Sequence, residues 1–372
     1  MRIALVHRTL SELGGTERYT LGLSRGLAAR GHEVHLFVAR RDPRVTLPPG
    51  VTLHLVPWLR PTAFLKALSF DWGVRRRLKA MGPFDVTLSM ARTTCQDVWR
   101  AGGGHHPRHL ALSRSGFWQR FGPSAWILSA LERRSVATSP HIVAVSRSSA
   151  AELSEVYQLP PSRQHVWPNP VDLDVFAPDP SAGPRVRGAL CIPPEGLLVL
   201  LVGTGFERKG LSTLLAAAQK VPGIYVVAVG ADRNQARYQR EARQRGVHLI
   251  LTGPRRDVVE LYQAADIFCL PTRYDPCANA TLEAAACGLP VVTTSRNGAA
   301  ERLRGAALVL EDPLGVEALA RALNLLRDPE IRGEVARLCR EKAGSCTWQG
   351  HLDQVESLFY QIHAAKAVQV GK

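Results

Sequence analysis

The 372-residue chain contains no CxxC pair, and its seven cysteines (Cys95, Cys191, Cys269, Cys277, Cys287, Cys339 and Cys346) are odd in number and scattered. Neither a disulfide framework nor a zinc site is indicated, and most of the cysteines read as small buried hydrophobes. Long apolar runs are missing too. The longest aliphatic stretch, Leu197–Val202, falls far short of the roughly twenty residues that span a bilayer. Met1–His7 leads into a strand and not a cleavable signal, so the expected location is cytoplasmic. Acidic residues are scarce in one half only: residues 1–170 hold 23 Lys and Arg against 10 Asp and Glu, whereas residues 171–372 hold 24 against 22. Almost the whole net charge of +15 therefore lies in the first half, which must meet something anionic.

Within residues 61–140 that charge is concentrated as Arg75-Arg76-Arg77-Leu78-Lys79 and interleaved with Trp72, Phe117, Trp118, Phe121 and Trp126. A basic surface carrying aromatics suits an anionic membrane face. The same Coulomb argument admits nucleic acid, but no recognition-helix, zinc-finger or aromatic RNA-binding signature accompanies it. General arginine enrichment is the plain alternative, and it leaves the near-neutral second half unexplained.

A hydrophobic content of 45% is enough for a large core, and the apolar pattern divides it in two. Ile3–Val6, a helix over Thr16–Arg30 closed by Gly31, and Val34–Val38 form a βαβ unit. Strands at Thr52–Val56, Asp85–Ser89, Asp97–Arg100 and Ile142–Val145 continue it, among helices near 62–80, 123–137 and 147–157. Pro160-Pro161 and Trp167-Pro168-Asn169-Pro170 then break the pattern, and Val171–Phe176 reads as an extended connector. A second alternation runs through Leu197–Val202, Tyr225–Val229, His248–Leu251, Ile267–Leu270, Val291–Thr294 and Ala307–Leu310, and Trp348–Ala365 is helical by periodicity. The reading is α/β: two doubly wound, Rossmann-like domains, 1–168 and 169–346, followed by a terminal segment, 347–372.

The richest stretch, Thr272–Thr294, sets two carboxylates, Asp275 and Glu283, astride a short helix start. Asn279 is placed to cap that helix, Ala280–Cys287 suit its geometry, and Gly288 supplies its left-handed stop before Pro290 and the strand Val291-Val292. Free amides there attract phosphate, and a carboxylate one turn in can bind sugar hydroxyls. Earlier, Gly203-Thr204-Gly205-Phe206-Glu207-Arg208-Lys209-Gly210 joins a strand to a helix. It fails both standard phosphate-loop templates: the dinucleotide fingerprint needs glycine where Arg208 stands, and a Walker loop needs Lys then Ser or Thr after Gly210, where Leu211 follows. A cation pair at a helix start opposes the dipole, so it implies an anion to bind.

These segments together resemble the retaining glycosyltransferases of family 4, in which two acids separated by seven intervening residues bracket the donor site; the resemblance spans nearly the whole chain. It implies a GT-B fold, the two domains facing each other across a cleft, with the terminal helix returning to the first. By it, Arg208 and Lys209 contact the leaving diphosphate, and Thr252-Gly253-Pro254-Arg255 receives the base. Glu283 binds the ribose, the amides near Asn279, Ala280 and Thr281 meet sugar or phosphate, and Asp275, where the family usually has Glu, faces the transferred sugar. Gly203 and Gly205 belong to the donor loop. Leu13-Gly14-Gly15-Thr16, which also fits a simple turn, lines the acceptor side with Arg18, Gly15 touching the donor as well. In Gly102-Gly103-Gly104-His105-His106, position after the glycines favours His106 over His105 as the histidine that contacts the donor sugar. The catalytic set is then His106, Asp275, Arg208 and Lys209, with no cofactor or metal expected.

Within the family the chain is similar to the lipopolysaccharide core glucosyltransferases, some of which have Asp in place of this His. That likeness implies transfer of a hexose, glucose from UDP-glucose, to an anionic lipid-linked glycan of the cell envelope, at the inner face of the cytoplasmic membrane, with nucleic acid not a partner. The competing readings are the same chemistry on a soluble sugar phosphate, and a non-catalytic polyanion- or membrane-binding protein on the same fold.

Overall fold

The computed structural model describes residues 1–11, 14–59, 62–112 and 122–370. Leu13, Phe117, Trp118 and Phe121 lie outside these residues. Two compact units emerge: Met1–Ala111, Ser115–Asn169 and Trp348–Lys372 make the first, and Pro170–Thr347 the bulk of the second.

The first unit holds a seven-stranded parallel sheet of β1 (Arg2–Val6), β2 (Glu33–Val38), β3 (Val51–Leu55), β4 (Val86–Ser89), β5 (Val98–Arg100), β6 (His141–Ala144) and β7 (Gln164–Val166), in the order β3-β2-β1-β4-β5-β6-β7. Alternation decides its two cores. Ile3 and Leu5 of β1 face Leu23 and Leu27 together with Val355, Phe359 and Ile362 of the Trp348–Val370 helix, whereas Ala4 and Val6 face Phe70 and Val74 of the Ala63–Ala80 helix. The terminal helix is held at both ends by charge: Glu356 accepts from Arg30 at 2.6 Å and pairs with His32 at 2.8 Å, and Lys366 reaches Asp97 at 2.8 Å.

The second unit repeats the design with β8 (Leu197–Val202), β9 (Ile224–Val229), β10 (His248–Gly253), β11 (Ile267–Leu270), β12 (Val291–Thr294) and β13 (Leu308–Leu310), ordered β10-β9-β8-β11-β12-β13. In each sheet the order reverses beside the first strand, between β1 and β4 and between β8 and β11. Doubly wound sheets bind ligands at that reversal, outside the carboxyl ends of the strands.

Two local readings need correction. Val171–Phe176 is not extended: the Phe176 N–H donates to Asp172 O at 2.8 Å and the Asp172 carboxylate accepts from Asp174 N and Val175 N, so the acid folds its own backbone into a turn. Asn279 is not the helix cap. It is the first helical residue of Asn279–Ala286, after a boundary at Ala278, and no side chain caps that start.

Candidate functional site

In the second unit the loops leaving β8 and β11 meet at the sheet reversal. The β8 loop turns through Gly203 and Gly205 into the single helical turn Phe206–Lys209 and then Gly210. Gly210 has φ +82°, and a Cβ there would stand 2.1 Å from Pro271 O, so only glycine lets this turn lie against the β11 loop. Across that contact Arg208 Nη1 donates to Tyr274 O at 2.8 Å and to Asp275 Oδ2 at 3.0 Å, while Lys209 Nζ reaches the same oxygen at 2.5 Å. Thr272 Oγ1 donates back to Arg208 O at 3.1 Å.

Asp275 and Lys209 are both under a tenth exposed. Burial would raise the Asp275 pKa, but the charges and hydrogen bonds of Lys209 and Arg208 outweigh it and hold the carboxyl at about 2. Burial lowers the Lys209 pKa, an effect Asp275 opposes and Arg208 reinforces. Asp275 is thus the counter-charge that orders two cations, a part the sequence reading did not give it. The Asp275 backbone is fixed between Arg296 O, at 3.0 Å from its N–H, and Gly298 N, at 2.9 Å from its carbonyl.

Glu283 lies in the first turns of the Asn279–Ala286 helix, which begins at Asn279, Ala280 and Thr281. It is buried and accepts from Tyr262 Oη at 3.0 Å. Asn297, which sequence reasoning missed, ties the helix start to β12: its Oδ1 accepts from Ala278 N at 3.2 Å and its Nδ2 donates to Thr281 Oγ1 at 2.8 Å and Thr293 Oγ1 at 3.0 Å. The Asn297-Gly298 pair after a strand was the available signal. Gly230 was missed as well. Gly203, Gly230 and Gly253 end β8, β9 and β10 in step, and a Cβ on Gly230 would meet Gly203 O at 2.0 Å, so side chains are kept off this rim. Arg255, in contrast, sits beyond the outer strand β10 and is committed to Asp257, its Nε donating at 2.8 Å.

In the first unit, the loop after β1 enters the Gly15–Ala29 helix. Gly14 precedes it with φ −97°, an ordinary value. Its small size matters for a different reason, since the Glu17 carboxylate folds back over it to within 1.9 Å of where a Cβ would be. Arg18 N–H closes the first helical turn on Gly14 O at 3.0 Å. His106 starts the His106–Leu112 helix after the glycine run, and its N–H donates at 3.0 Å to Glu132. Glu132 is fully buried and also receives Arg92 Nε and Tyr157 Oη, each at 2.9 Å, making it the post on which this loop is hung. Its sequence signal was one carboxylate on the inward stripe of the Pro123–Thr138 helix. Burial, followed by the charge of Arg92, pushes the His106 pKa to about 3, so its imidazole is neutral in ordinary buffers.

Residues 13–175 match the Glycosyltransferase Family 4 model, and residues 185–343 match that of Glycosyl transferases group 1. The D-inositol 3-phosphate glycosyltransferase of Xylanimonas cellulosilytica is 30% identical over 340 residues, covering 82% of this chain and 79% of the relative. The chain belongs to glycosyltransferase family 4. Its fold is GT-B. WaaG, a glycosyltransferase of lipopolysaccharide biosynthesis, superposes with a TM-score of 0.83 at 23% identity, over 96% of this chain and 99% of WaaG. Anabaena HepE, solved with UDP-glucose, superposes with a TM-score of 0.76 at 16% identity, over 97% of this chain and 100% of HepE. As a family 4 glycosyltransferase the chain is a nucleotide-sugar-dependent enzyme.

Proposed function

We propose that this glycosyltransferase moves a hexose, glucose from UDP-glucose, with retention onto an anionic, lipid-linked glycan at a membrane surface. The observation that carries the reading is the Asp275–Lys209–Arg208 cluster at the reversal of the second sheet, with Glu283 and an uncapped helix start beside it. Breaking an anomeric bond leaves a nucleoside diphosphate with developing negative charge. Two preordered cations stabilise that charge without reorganising, an effect worth about 3 to 4 kcal/mol per donor in comparable sites. Glu283, held by Tyr262, is suited to bind ribose hydroxyls. In retaining transfer the acceptor hydroxyl attacks on the face the phosphate leaves, and that phosphate can take the proton. A neutral His106 fits this scheme, since the imidazole is called on for hydrogen bonding to a sugar and not as a strong acid.

Two exposed tryptophans support the membrane part. Trp72, on the Ala63–Ala80 helix, is 62% exposed, and Trp126, on the Pro123–Thr138 helix packed near it, is 75% exposed. Arg76 stacks over Trp72 at 5.5 Å, beside Arg75 and Arg77, and Arg133 and Arg134 follow Trp126 along its helix. Amphipathic rings flanked by cations suit an anionic lipid–water boundary. A soluble phosphorylated acceptor remains the second reading, favoured by the relative that glycosylates D-inositol 3-phosphate.

The deciding experiment is calorimetric titration of UDP, GDP and ADP into the wild type, Glu283→Ala and Lys209→Ala. Micromolar binding of UDP, abolished by both substitutions, is expected. Absence of binding by all three nucleotides would overturn the donor site.

A further inference from the structure

The turn that carries Arg208 and Lys209 is bounded by two glycines with positive φ, Gly205 at +77° and Gly210 at +82°. Glycines at such angles leave the backbone free to swing, and a helix of one turn has too few internal hydrogen bonds to fix its own direction. Its orientation is therefore set from outside. The Phe206 N–H donates to Asp232 Oδ2 at 2.7 Å in the loop after β9, and Arg208 O accepts from Arg273 N at 2.9 Å beside the bond from Thr272.

Glu207 adds side-chain ties in two directions. Its Oε1 lies 3.0 Å from Arg273 Nη1 on the β11 loop, and its Oε2 lies 3.0 Å from Arg237 Nη1 on the Gln235–Arg245 helix that follows β9. One acid thus joins the chain segments leaving β8, β9 and β11. The Glu207 and Arg273 side chains are 18% and 11% exposed against 49% for Arg237, so the pair with Arg273 is the less screened by water.

The charges of the β8 turn and the β11 loop are crossed. The turn offers the cation Arg208 to the acid Asp275, and the loop offers the cation Arg273 to the acid Glu207. The two pairs part company when a diphosphate arrives: its oxygens compete with Asp275 for Arg208 and Lys209, and the tie through those cations weakens. The Glu207–Arg273 pair remains to hold the turn. An acid one residue before Arg208 would repel phosphate unless its charge were balanced, so its place there is explained by the arginines it holds and not by the anion.

We propose that Glu207, acting through Arg273, is a positioning residue that fixes the direction of the Arg208–Lys209 turn for a diphosphate. The proposal rests on the donor-site reading and deepens it. Arg237 is the outer, solvent-screened arm of the same tie.

The test compares UDP, by calorimetry, with uridine, which has the base and ribose but no phosphate, by ligand-observed NMR. Wild type, Glu207→Gln, Arg273→Gln, the double variant and Arg237→Gln are measured, each with a urea titration to establish that it is folded. UDP should bind roughly tenfold more weakly to Glu207→Gln and to Arg273→Gln, the value of one charge-assisted contact, and no more weakly to the double variant, because the two residues act as one pair. Uridine affinity should be unchanged throughout, and Arg237→Gln should lose less than about twofold. Unchanged or tighter UDP binding by Glu207→Gln overturns the proposal, as do equal losses for UDP and uridine or additive losses in the double variant. Should Glu207→Gln fail to fold, Arg273→Lys, which keeps the charge and loses the planar fork, is expected to weaken UDP and not uridine, and an undiminished UDP affinity there overturns the proposal equally. Absence of UDP binding by the wild type sinks the donor reading and the positioning role with it, whereas wild-type binding matched by Glu207→Gln sinks the positioning role alone.

Discussion

Asp275 illustrates how one residue's role changes when its neighbours are known. The likeness to family 4 implies a group that faces sugar, but its oxygen is occupied by Lys209 and Arg208 at 2.5 and 3.0 Å. Removing one partner of a buried pair leaves the other uncompensated, which costs about 3 to 5 kcal/mol. Asp275→Asn is therefore expected to lower the unfolding free energy by that order in a urea titration. Nucleoside diphosphate, supplying the missing charge, should restore the variant by more than it stabilises the wild type. An unchanged midpoint, or a smaller nucleotide effect in the variant, would show that Asp275 does not balance the cations. Tyr262→Phe tests Glu283 in the same way. Loss of the 3.0 Å bond should weaken nucleotide binding about tenfold, the value of one hydrogen bond to a charged group, and leave the fold intact; undiminished affinity in calorimetry would remove Tyr262 from the site.

At the scale of elements, the Trp348–Val370 helix is bound into the first unit by a buried aromatic seam as well as by its charges. His351 Nε2 lies 2.8 Å from Tyr19 Oη, and its ring packs edge-on against Trp348, Tyr19 and Trp167. Burial, then the charge of Arg100, lowers the His351 pKa to about 3 from the ordinary 6.5, against an opposing backbone contact at Pro168. The folded value is below the unfolded one, so the unfolded chain takes up the proton first. Stability from this residue is complete above pH 6.5 and declines as pH falls toward 3, by about 1.4 kcal/mol per pH unit. Urea titrations between pH 7 and 4 should show that decline in the wild type and a shallower one in His351→Gln; parallel curves would mean that the ring already exchanges protons in the folded state. Glu356→Ala takes the carboxylate from His32 and leaves Arg30 with Asp353, 2.7 Å away. It is expected to cost about 1 kcal/mol at pH 7, as for a solvent-accessible ion pair, and an unchanged urea midpoint would mean that solvent and Asp353 replace the carboxylate.

At the scale of the whole molecule, charge is divided as sharply as structure: almost all of the net +15 sits in residues 1–170. Among the described residues no helix is long and apolar enough to cross a membrane. Retention on anionic vesicles should therefore be salt-sensitive and should fall in Trp72→Ala with Trp126→Ala, while UDP binding stays unchanged; equal flotation of wild type and double variant would discard the aromatic anchor. The sequence by itself determined the two parallel sheets, because buried parallel strands are continuous apolar runs such as Leu197–Val202 and their period is local. It also determined the Arg208-Lys209 and Asp275–Glu283 motifs, whose spacing is set along one stretch of chain. Only the tertiary structure decided what lies more than one element away. The pairing of Lys209 with Asp275, the hold of Asn297 on the helix start and the support of His106 by Glu132 all depend on the strand order. Side-by-side placement of β1 with β4 and of β8 with β11 is fixed by crossover connections and core packing, and no periodicity along the chain encodes which loops will be neighbours at the carboxyl ends of the strands.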